Sequence, residues 1–364
     1  MRENPGAMQD RLTATAAPDA TTARPQVVYV MGSGRSGSTI LGVALGNCDG
    51  VFYAGELDNW LVRSGTPVLG GLERTRFWST VRDDVPGGRE LFGNRAQRDL
   101  ERSFAPFRLH RLRARLQLRE RYRPVTEDLY RAIARAAGVT HVVDTSHFPL
   151  RARELQALAG IDLYLILLVR DPRSVVDSFN LYLNRNDVAE RRLRVLSTNA
   201  NLWLTHLLSV LVFLRQPRER RMLLRHEDLL ADPGGTLREV LDRVGSAAAL
   251  PDLTALDTGF PLNGNRLLSA EVVSLESRPV AARGGSRITA LLQLPWTAVF
   301  SRLGPVVSEP AVRAASSAPV APTMPAAAPP PAASSAPVAP TMPAAAPPPA
   351  ASAPPAASAT RTGS

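Results

Sequence analysis

A glycine- and serine-rich turn near the start of the chain carries residue types that bind anions. It reads GSGRSGST over 32–39 and lies between a short apolar run and a helical pattern. In such a turn, successive backbone N–H groups can point at one anion, and the positive end of the following helix adds to the attraction. The arginine can reach over the bound group, and the last two hydroxyl groups can donate hydrogen bonds. The predicted anion-binding residues are Ser33, Gly34, Arg35, Ser36, Gly37, Ser38 and Thr39.

This turn differs from the P-loop of nucleoside triphosphatases. That motif reads GxxxxGK[ST], and its lysine contacts the β- and γ-phosphates, whereas here Ser38 follows Gly37. At the strand end where a magnesium-holding aspartate would be expected, Arg170 comes before Asp171. The chain has one cysteine, and no His/Cys/Asp cluster has metal-ligand spacing. We therefore expect an anion that is bound without a metal.

A second candidate anion site follows the most apolar segment of the chain, residues 163–169. Pro172 is well placed to open a helix there, since proline favours the first helical turn. Arg170 would then stand at the end of a strand and Ser178 two turns into the helix, so that both could converge on one phosphate group.

The two motifs require strands that end where the motifs begin. Helical patterns separate short apolar runs at 27–31, 51–55, 141–144, 163–169 and 221–225. This alternation predicts an α/β fold with a central parallel sheet. Ligands bind at the carboxyl ends of the strands in such sheets, and both motifs fall there. The arginine-rich segment 63–125 is interpreted as an inserted helical cap, with one amphipathic helix inside 107–122.

The ends of the chain predict disorder, which leaves a folded domain at 25–308. Residues 1–24 are polar and rich in Ala and Thr, and 309–364 form a Pro/Ala-rich tail. Within this tail, Ser316–Ala333 recurs unchanged as Ser334–Ala351. Such a composition buries too little apolar surface to offset the entropy lost on ordering.

Composition limits the class of partner. All 43 basic residues are arginine, and the formal net charge is +10. Arginine binds oxyanions with a planar fork, but here the arginines are scattered without an aromatic-interleaved stripe, which argues against nucleic acid. The apolar stretch 207–214, which only Ser209 interrupts, is shorter than the roughly 20 residues of a spanning helix. We expect a cytoplasmic protein without a membrane span.

Both motifs together resemble the sulfotransferase family that uses 3′-phosphoadenosine-5′-phosphosulfate (PAPS). The turn at 32–39 resembles the family's 5′-phosphosulfate loop, and Arg170 and Ser178 have its spacing for gripping the 3′-phosphate. Residues 224–233 resemble its "YEDL…DP" segment, with His226 in place of the tyrosine. Residues 264–266, together with Trp296, resemble its "GN-R … W" region.

The resemblance, over 27–303, implies a P-loop-like three-layer sandwich and PAPS as co-substrate, with no metal. It also implies cofactor contacts from His226 and Arg266 and a hydroxyl of a small molecule or glycan as acceptor. Many family members carry a basic residue after the strand at 141–144, where this chain reads DTSH.

Sulfuryl transfer is an in-line displacement that needs cations on the sulfonate and a base for the acceptor hydroxyl. Arg35 fits the first role. Glu56 follows a short apolar strand and should lie near the turn, and family members with a similar "GE" segment are proposed to use that glutamate as base. His147, at the end of another strand, is the rival base.

Two other hypotheses remain open at this point. A P-loop kinase or nucleotidase with a drifted motif would bind ATP with magnesium. A non-catalytic nucleotide-binding protein would bind a nucleotide without turnover, and Glu56→Gln would then change nothing.

Overall fold

A computed structural model of the chain describes residues 24–303, apart from 61, 64, 86–93, 181–187 and 278–286. The two end segments predicted to be disordered therefore lie almost wholly outside the described residues. Five parallel strands form the central sheet in the order β2-β3-β1-β4-β5. They are β1 (Gln26–Gly32), β2 (Val51–Gly55), β3 (His141–His147), β4 (Asp162–Val169) and β5 (Arg221–Arg225).

Helices cover both faces of this sheet, which confirms the predicted α/β fold. A two-residue antiparallel pair, β6 (Leu256–Asp257) with β7 (Val272–Val273), lies outside it. The labelled helices are α1 (Ser38–Gly46), α2 (Leu72–Asp84), α3 (Leu112–Ala137), α4 (Pro149–Leu155), α5 (Pro172–Asn180), α6 (Val188–Arg215), α7 (His226–Ala231), α8 (Pro233–Arg243) and α9 (Arg287–Leu303).

Alternate residues of the strands pack into two separate cores. Val27, Tyr29 and Met31 of β1 join the core formed with α2, α3, α6 and α9. Val28 and Val30 join the opposite core with α1 and α8. Because parallel strands between helical layers are buried on both faces, they read as continuous apolar runs. This is why the apolar runs in the sequence lie close to the observed strands.

The direction of the strand order reverses beside β1, and this reversal creates the crevice for the site. From β1 the chain crosses to β2 and β3 on one side, and later to β4 and β5 on the other. The register places Gly32 beside Leu168 and Met31 beside His147. The loops after β1, β3 and β4 therefore emerge together, at the kind of position where open α/β sheets bind ligands.

The helix of the predicted cap is longer than expected and begins later. It spans Leu112–Ala137 rather than lying within 107–122, with short 3-10 turns before it. Its second half buries Val125, Leu129 and Ile133, which recur at the spacing of one helical face. The sequence prediction covered only the arginine-rich first half of this helix, whereas packing of the second half holds the helix in place.

The segment Leu193–Arg215 of helix α6 is long and apolar enough to cross a membrane by length and composition alone. The prediction of no membrane span rested on continuous apolar runs and did not identify this segment. In the fold, polar groups tie α6 to the domain. The Asn199 amide donates to Thr289 Oγ1 (3.3 Å), and the Gln216 amide donates to the Leu163 carbonyl (2.8 Å). Helix α6 is thus a packed helix of the domain.

Close approach of α1 to β2 yields a stability prediction. A Cβ atom on Gly42 would lie 2.3 Å from the buried Tyr53 ring, so Gly42→Ala should displace that ring. We expect a loss of about 1–3 kcal/mol, the usual cost of overpacking, despite the better helix propensity of alanine. Gly70→Ala, which meets nothing within 4 Å, is the control in thermal melts. Equal melting temperatures for the two variants would contradict this packing.

Candidate active site

The turn after β1 has backbone features that suit the binding of an anion. Arg35 and Gly37 both adopt left-handed backbone conformations, with φ of 68° and 97°. A left-handed conformation at a non-glycine residue is strained and is found mostly at functional loops. Helix α1 begins without a side-chain cap and has no acidic residue in its first turn. Its positive N-terminal end is therefore directed into the turn without a competing carboxylate.

Two buried polar atoms at this turn have no hydrogen-bond partner within the described part of the chain. They are Ser36 Oγ and His226 Nδ1. The His226 ring lies directly against the turn, because a Cβ on Gly37 would be 2.3 Å from that nitrogen. Burial, with Arg170 nearby, lowers the pKa of His226 to about 4. Buried polar groups are usually satisfied, so both atoms suit contact with a bound ligand.

The second motif meets the first one directly. Arg170 Nη1 donates a hydrogen bond to the Arg35 carbonyl oxygen at 2.9 Å. The Asp171 N–H donates to Glu227 Oε1 at 2.9 Å, which ties the end of β4 to α7. Ser178 lies near the end of α5, and the next residue, Phe179, brings its ring to 3.3 Å from a Cβ built on Gly34. The structure thus brings the Arg170 segment and the turn into one site.

Glu56 lies directly after β2, in a largely buried position. Burial and the nearby Asp144 carboxylate raise its pKa from 4.5 to about 7, partly offset by Arg35. The Asn263 amide donates to Glu56 Oε2 at 3.1 Å, and the Glu56 N–H donates to the Asn263 carbonyl at 2.9 Å. Gly55 permits this approach, because a Cβ there would be 2.3 Å from the Asn263 carbonyl oxygen.

His147, the rival base, also lies near the turn. It ends β3 with a left-handed backbone, φ 57°, and its Nε2 is 4.0 Å from a Cβ built on Gly34. Desolvation lowers its pKa to about 4. A general base works best with a pKa near the working pH. Of the two candidates, Glu56 is therefore better matched to neutral pH.

A buried ionic network lies next to the ends of β2 and β3, where Glu56 and His147 are located. Arg151 is only 2% exposed and donates to Glu101 Oε1 (2.8 Å) and Asp144 Oδ2 (3.2 Å). The Ser146 hydroxyl donates to Asp144 Oδ1 and accepts from the Asp58 N–H at 3.0 Å. Through these contacts, the ends of β2 and β3 are held together, and with them the segment that carries Glu56.

Sequence reasoning missed Asn263 and the Arg151 network. Asn263 lies 207 residues from Glu56, so no local spacing connects them; its only signal was the adjoining Gly264-Asn265-Arg266 segment. Arg151 was one of many scattered arginines. Of the residues that the sequence did suggest, Arg266 is exposed at the start of a 3-10 turn. Trp296 packs against Trp203 between α6 and α9, as a core residue.

No group of three or more His, Cys, Asp and Glu side chains could hold a metal ion in the portion of the chain described.

A protein-family profile, described as the sulfotransferase family, matches residues 25–249. The chain belongs to the sulfotransferase family. The match includes the turn after β1, Glu56, Arg170 and His226, whereas Asn263 and Arg266 lie beyond it. Among curated protein sequences, none matches this chain.

Several solved sulfotransferases are similar to this chain at low sequence identity. The sulfotransferase domain of the Synechococcus PCC 7002 olefin synthase is 16% identical, covers 76% of this chain and 96% of its own, and gives a TM-score of 0.43. The sulfotransferase domain from the curacin biosynthetic pathway is also 16% identical (coverage 76% and 98%, TM-score 0.41). A sulfotransferase from Alicyclobacillus acidocaldarius is 14% identical (coverage 77% and 92%, TM-score 0.36).

The environment of Glu56 gives a prediction about stability. A carboxyl whose folded-state pKa is raised from 4.5 to about 7 makes the fold less stable as pH rises through that interval, because the unfolded chain ionises first. Glu56→Gln removes this effect and can still accept the hydrogen bond from Asn263. We expect the variant to gain up to about 3 kcal/mol over the natural protein at pH 8 and almost nothing at pH 4.5. Denaturant unfolding at both pH values measures it, and an equal difference at each would contradict the assigned pKa.

Proposed function

We propose that this sulfotransferase moves the sulfuryl group of PAPS to a hydroxyl group of a small molecule or glycan, with Glu56 as general base. The observation that carries the proposal is the meeting of two cationic motifs, at Arg35 and Arg170, beside a carboxyl with a pKa of about 7. Such an arrangement suits a donor with anionic groups at two positions and an acceptor that must lose a proton.

In the proposed reaction, the oxygen of the acceptor hydroxyl attacks sulfur while Glu56 accepts the proton of that hydroxyl. The bond from sulfur to the bridging phosphate oxygen breaks, and 3′,5′-adenosine bisphosphate leaves. Arg35 and the N-terminal end of α1 stabilise the charge that develops on the sulfonate and on the leaving phosphate. Asn263, which holds Glu56 Oε2, keeps the carboxyl oriented towards the acceptor.

The remaining predicted residues have supporting roles in this proposal. Arg170, with Ser178, binds the 3′-phosphate. Ser36 and His226 contact the 5′-phosphosulfate group through their buried polar atoms. Arg266 is proposed to contact the nucleotide from the 263–266 segment, which lies beside Glu56 through Asn263. His147 borders the transferring group as a neutral ring at pH 7, since its pKa is about 4.

Calorimetric titration tests the donor. We expect 3′,5′-adenosine bisphosphate to bind in metal-free buffer and ATP with magnesium to bind far more weakly. Arg170→Ala should weaken binding of the bisphosphate by roughly 10- to 100-fold, which is the usual effect of losing a hydrogen bond to a charged group. Arg173→Ala is the control, because it also removes one positive charge. The Arg173 guanidinium is paired with Asp171 at 2.7 Å, so this variant should bind the bisphosphate nearly as well as the natural protein. Preference for ATP with magnesium would instead favour a kinase.

The pH dependence of turnover tests the base. With an accepted hydroxylated substrate, kcat/KM should rise through a midpoint of about 7 as Glu56 ionises. Glu56→Gln should lower kcat by roughly 10²- to 10⁴-fold and remove this rise, while bisphosphate binding persists. His147→Gln is the matched comparison and should keep the midpoint. If His147→Gln abolishes the pH dependence and Glu56→Gln does not, the base is His147.

A further inference from the structure

Helix α6 carries an apolar stripe that faces away from the domain. Its exposed positions recur every three or four residues, so they lie on one side of the helix. Six of them are large apolar residues, between 39% and 69% exposed. The stripe consists of Leu193, Leu196, Ala200, Trp203, Leu207, Leu211 and Leu214.

The outer face of α9 continues this surface. Trp203 Nε1 donates to the Leu292 carbonyl at 2.9 Å, and the Trp203 ring packs edge-on against Trp296. The stripe therefore passes directly onto the exposed Ile288, Leu291, Leu292 and Leu294. Surface leucines scattered singly are common, but a contiguous patch of this kind marks an interaction site.

The charges that accompany this surface are all positive. Between Leu193 and Arg215, and along the whole of α9, the sequence contains arginine but neither aspartate nor glutamate. Arg215, Arg287 and Arg302 are exposed, and none of the three pairs with a carboxylate of the described residues. A groove of about 240 Å³ between α4 and α6 repeats the pattern, because its lining combines Leu150, Leu208, Leu211 and Val212 with Arg153 and Arg215.

We propose that the α6–α9 face docks this protein on the surface of a membrane that contains anionic lipids. A helix that lies in the membrane interface combines leucines and an aromatic ring on one side with arginines at the border. The buried Asn199 of α6 bonds Thr289 of α9, and Gln216, directly after α6, bonds the Leu163 carbonyl, so these contacts remain in the domain. The helix would thus lie on the bilayer as part of the folded domain.

The charge pattern favours lipid over a second copy of the chain. A two-fold pairing of this face would bring arginines from both copies into one interface with no acidic residue from either stripe or from α9 to offset them, and like charges across an interface oppose association. An anionic lipid surface instead attracts each arginine, by about fivefold in binding constant per residue near the surface. The lining of the groove between α4 and α6 combines four apolar side chains with two arginines, which suits the boundary between acyl chain and headgroup.

Flotation of the full chain with vesicles tests this proposal. We expect binding to vesicles of phosphatidylcholine with roughly 30 mol % phosphatidylglycerol, weaker binding to phosphatidylcholine alone, and loss as salt rises. Leu207→Glu/Leu211→Glu should reduce binding at least tenfold. The matched control, Leu72→Glu/Val272→Glu, alters exposed apolar residues on α2 and β7 and should bind like the natural protein.

Charge variants provide a second readout that does not disturb the apolar stripe. Arg215→Gln/Arg287→Gln should weaken binding by about 25-fold, at roughly fivefold per arginine. Arg76→Gln/Arg238→Gln removes two exposed arginines from α2 and α8 and is the control. Equal binding to neutral and anionic vesicles, or unchanged binding of the stripe variant, would overturn the proposal. So would a failure to bind vesicles together with a concentration-dependent dimer that Leu207→Glu/Leu211→Glu dissociates, because the occupant would then be a second copy.

Discussion

The site depends most on the contacts that the buried guanidinium of Arg151 makes. This guanidinium lies between the carboxylates of Glu101 and Asp144, at 2.8 and 3.2 Å, with the hydroxyl groups of Tyr122 and Tyr130 completing its hydrogen bonds. Removing one partner of such a buried group leaves uncompensated charge and costs about 3–5 kcal/mol. Because Glu101 belongs to the inserted segment and Asp144 to β3, this one cation joins the cap to the sheet.

The same network sets the electrostatics of Glu56. Asp144 is held in place by Arg151 and Ser146, and its charge adds to burial in raising the pKa of Glu56. Asp58, two residues further on, also has a raised pKa through burial and the nearby Glu101, and it accepts from the Gln97 amide at 2.6 Å. Several carboxyl groups are thus gathered near the ends of β2 and β3, with Arg151 between two of them and Arg35 close enough to act on Glu56.

Arginine serves different purposes at different depths of this fold. In the core, Arg151 neutralises carboxylates. At the crevice, Arg170 joins the segment after β4 to the turn after β1 through the Arg35 carbonyl. On the outer surface of α6 and α9, Arg215, Arg287 and Arg302 border leucines, and none of these three pairs with an acid of the described residues. The charge is fixed and the planar fork is the same in each case, so the surroundings of each arginine decide its function. A net charge of +10 could not by itself distinguish these settings.

The sequence alone determined the strands, the turn and the place of Arg170, because each depends on residues that are close together in the chain. Continuous apolar runs indicate buried parallel strands, and glycine with serine before a helix indicates an anion-binding turn. Only the tertiary structure decided that Asn263 holds Glu56, that Arg151 joins Glu101 to Asp144, and that α3 extends to Ala137. These features come from contacts between distant segments, and burial sets the pKa of Glu56 only after those segments have packed. The apolar stripe of α6 likewise became visible only once packing had shown which side of the helix faces outward.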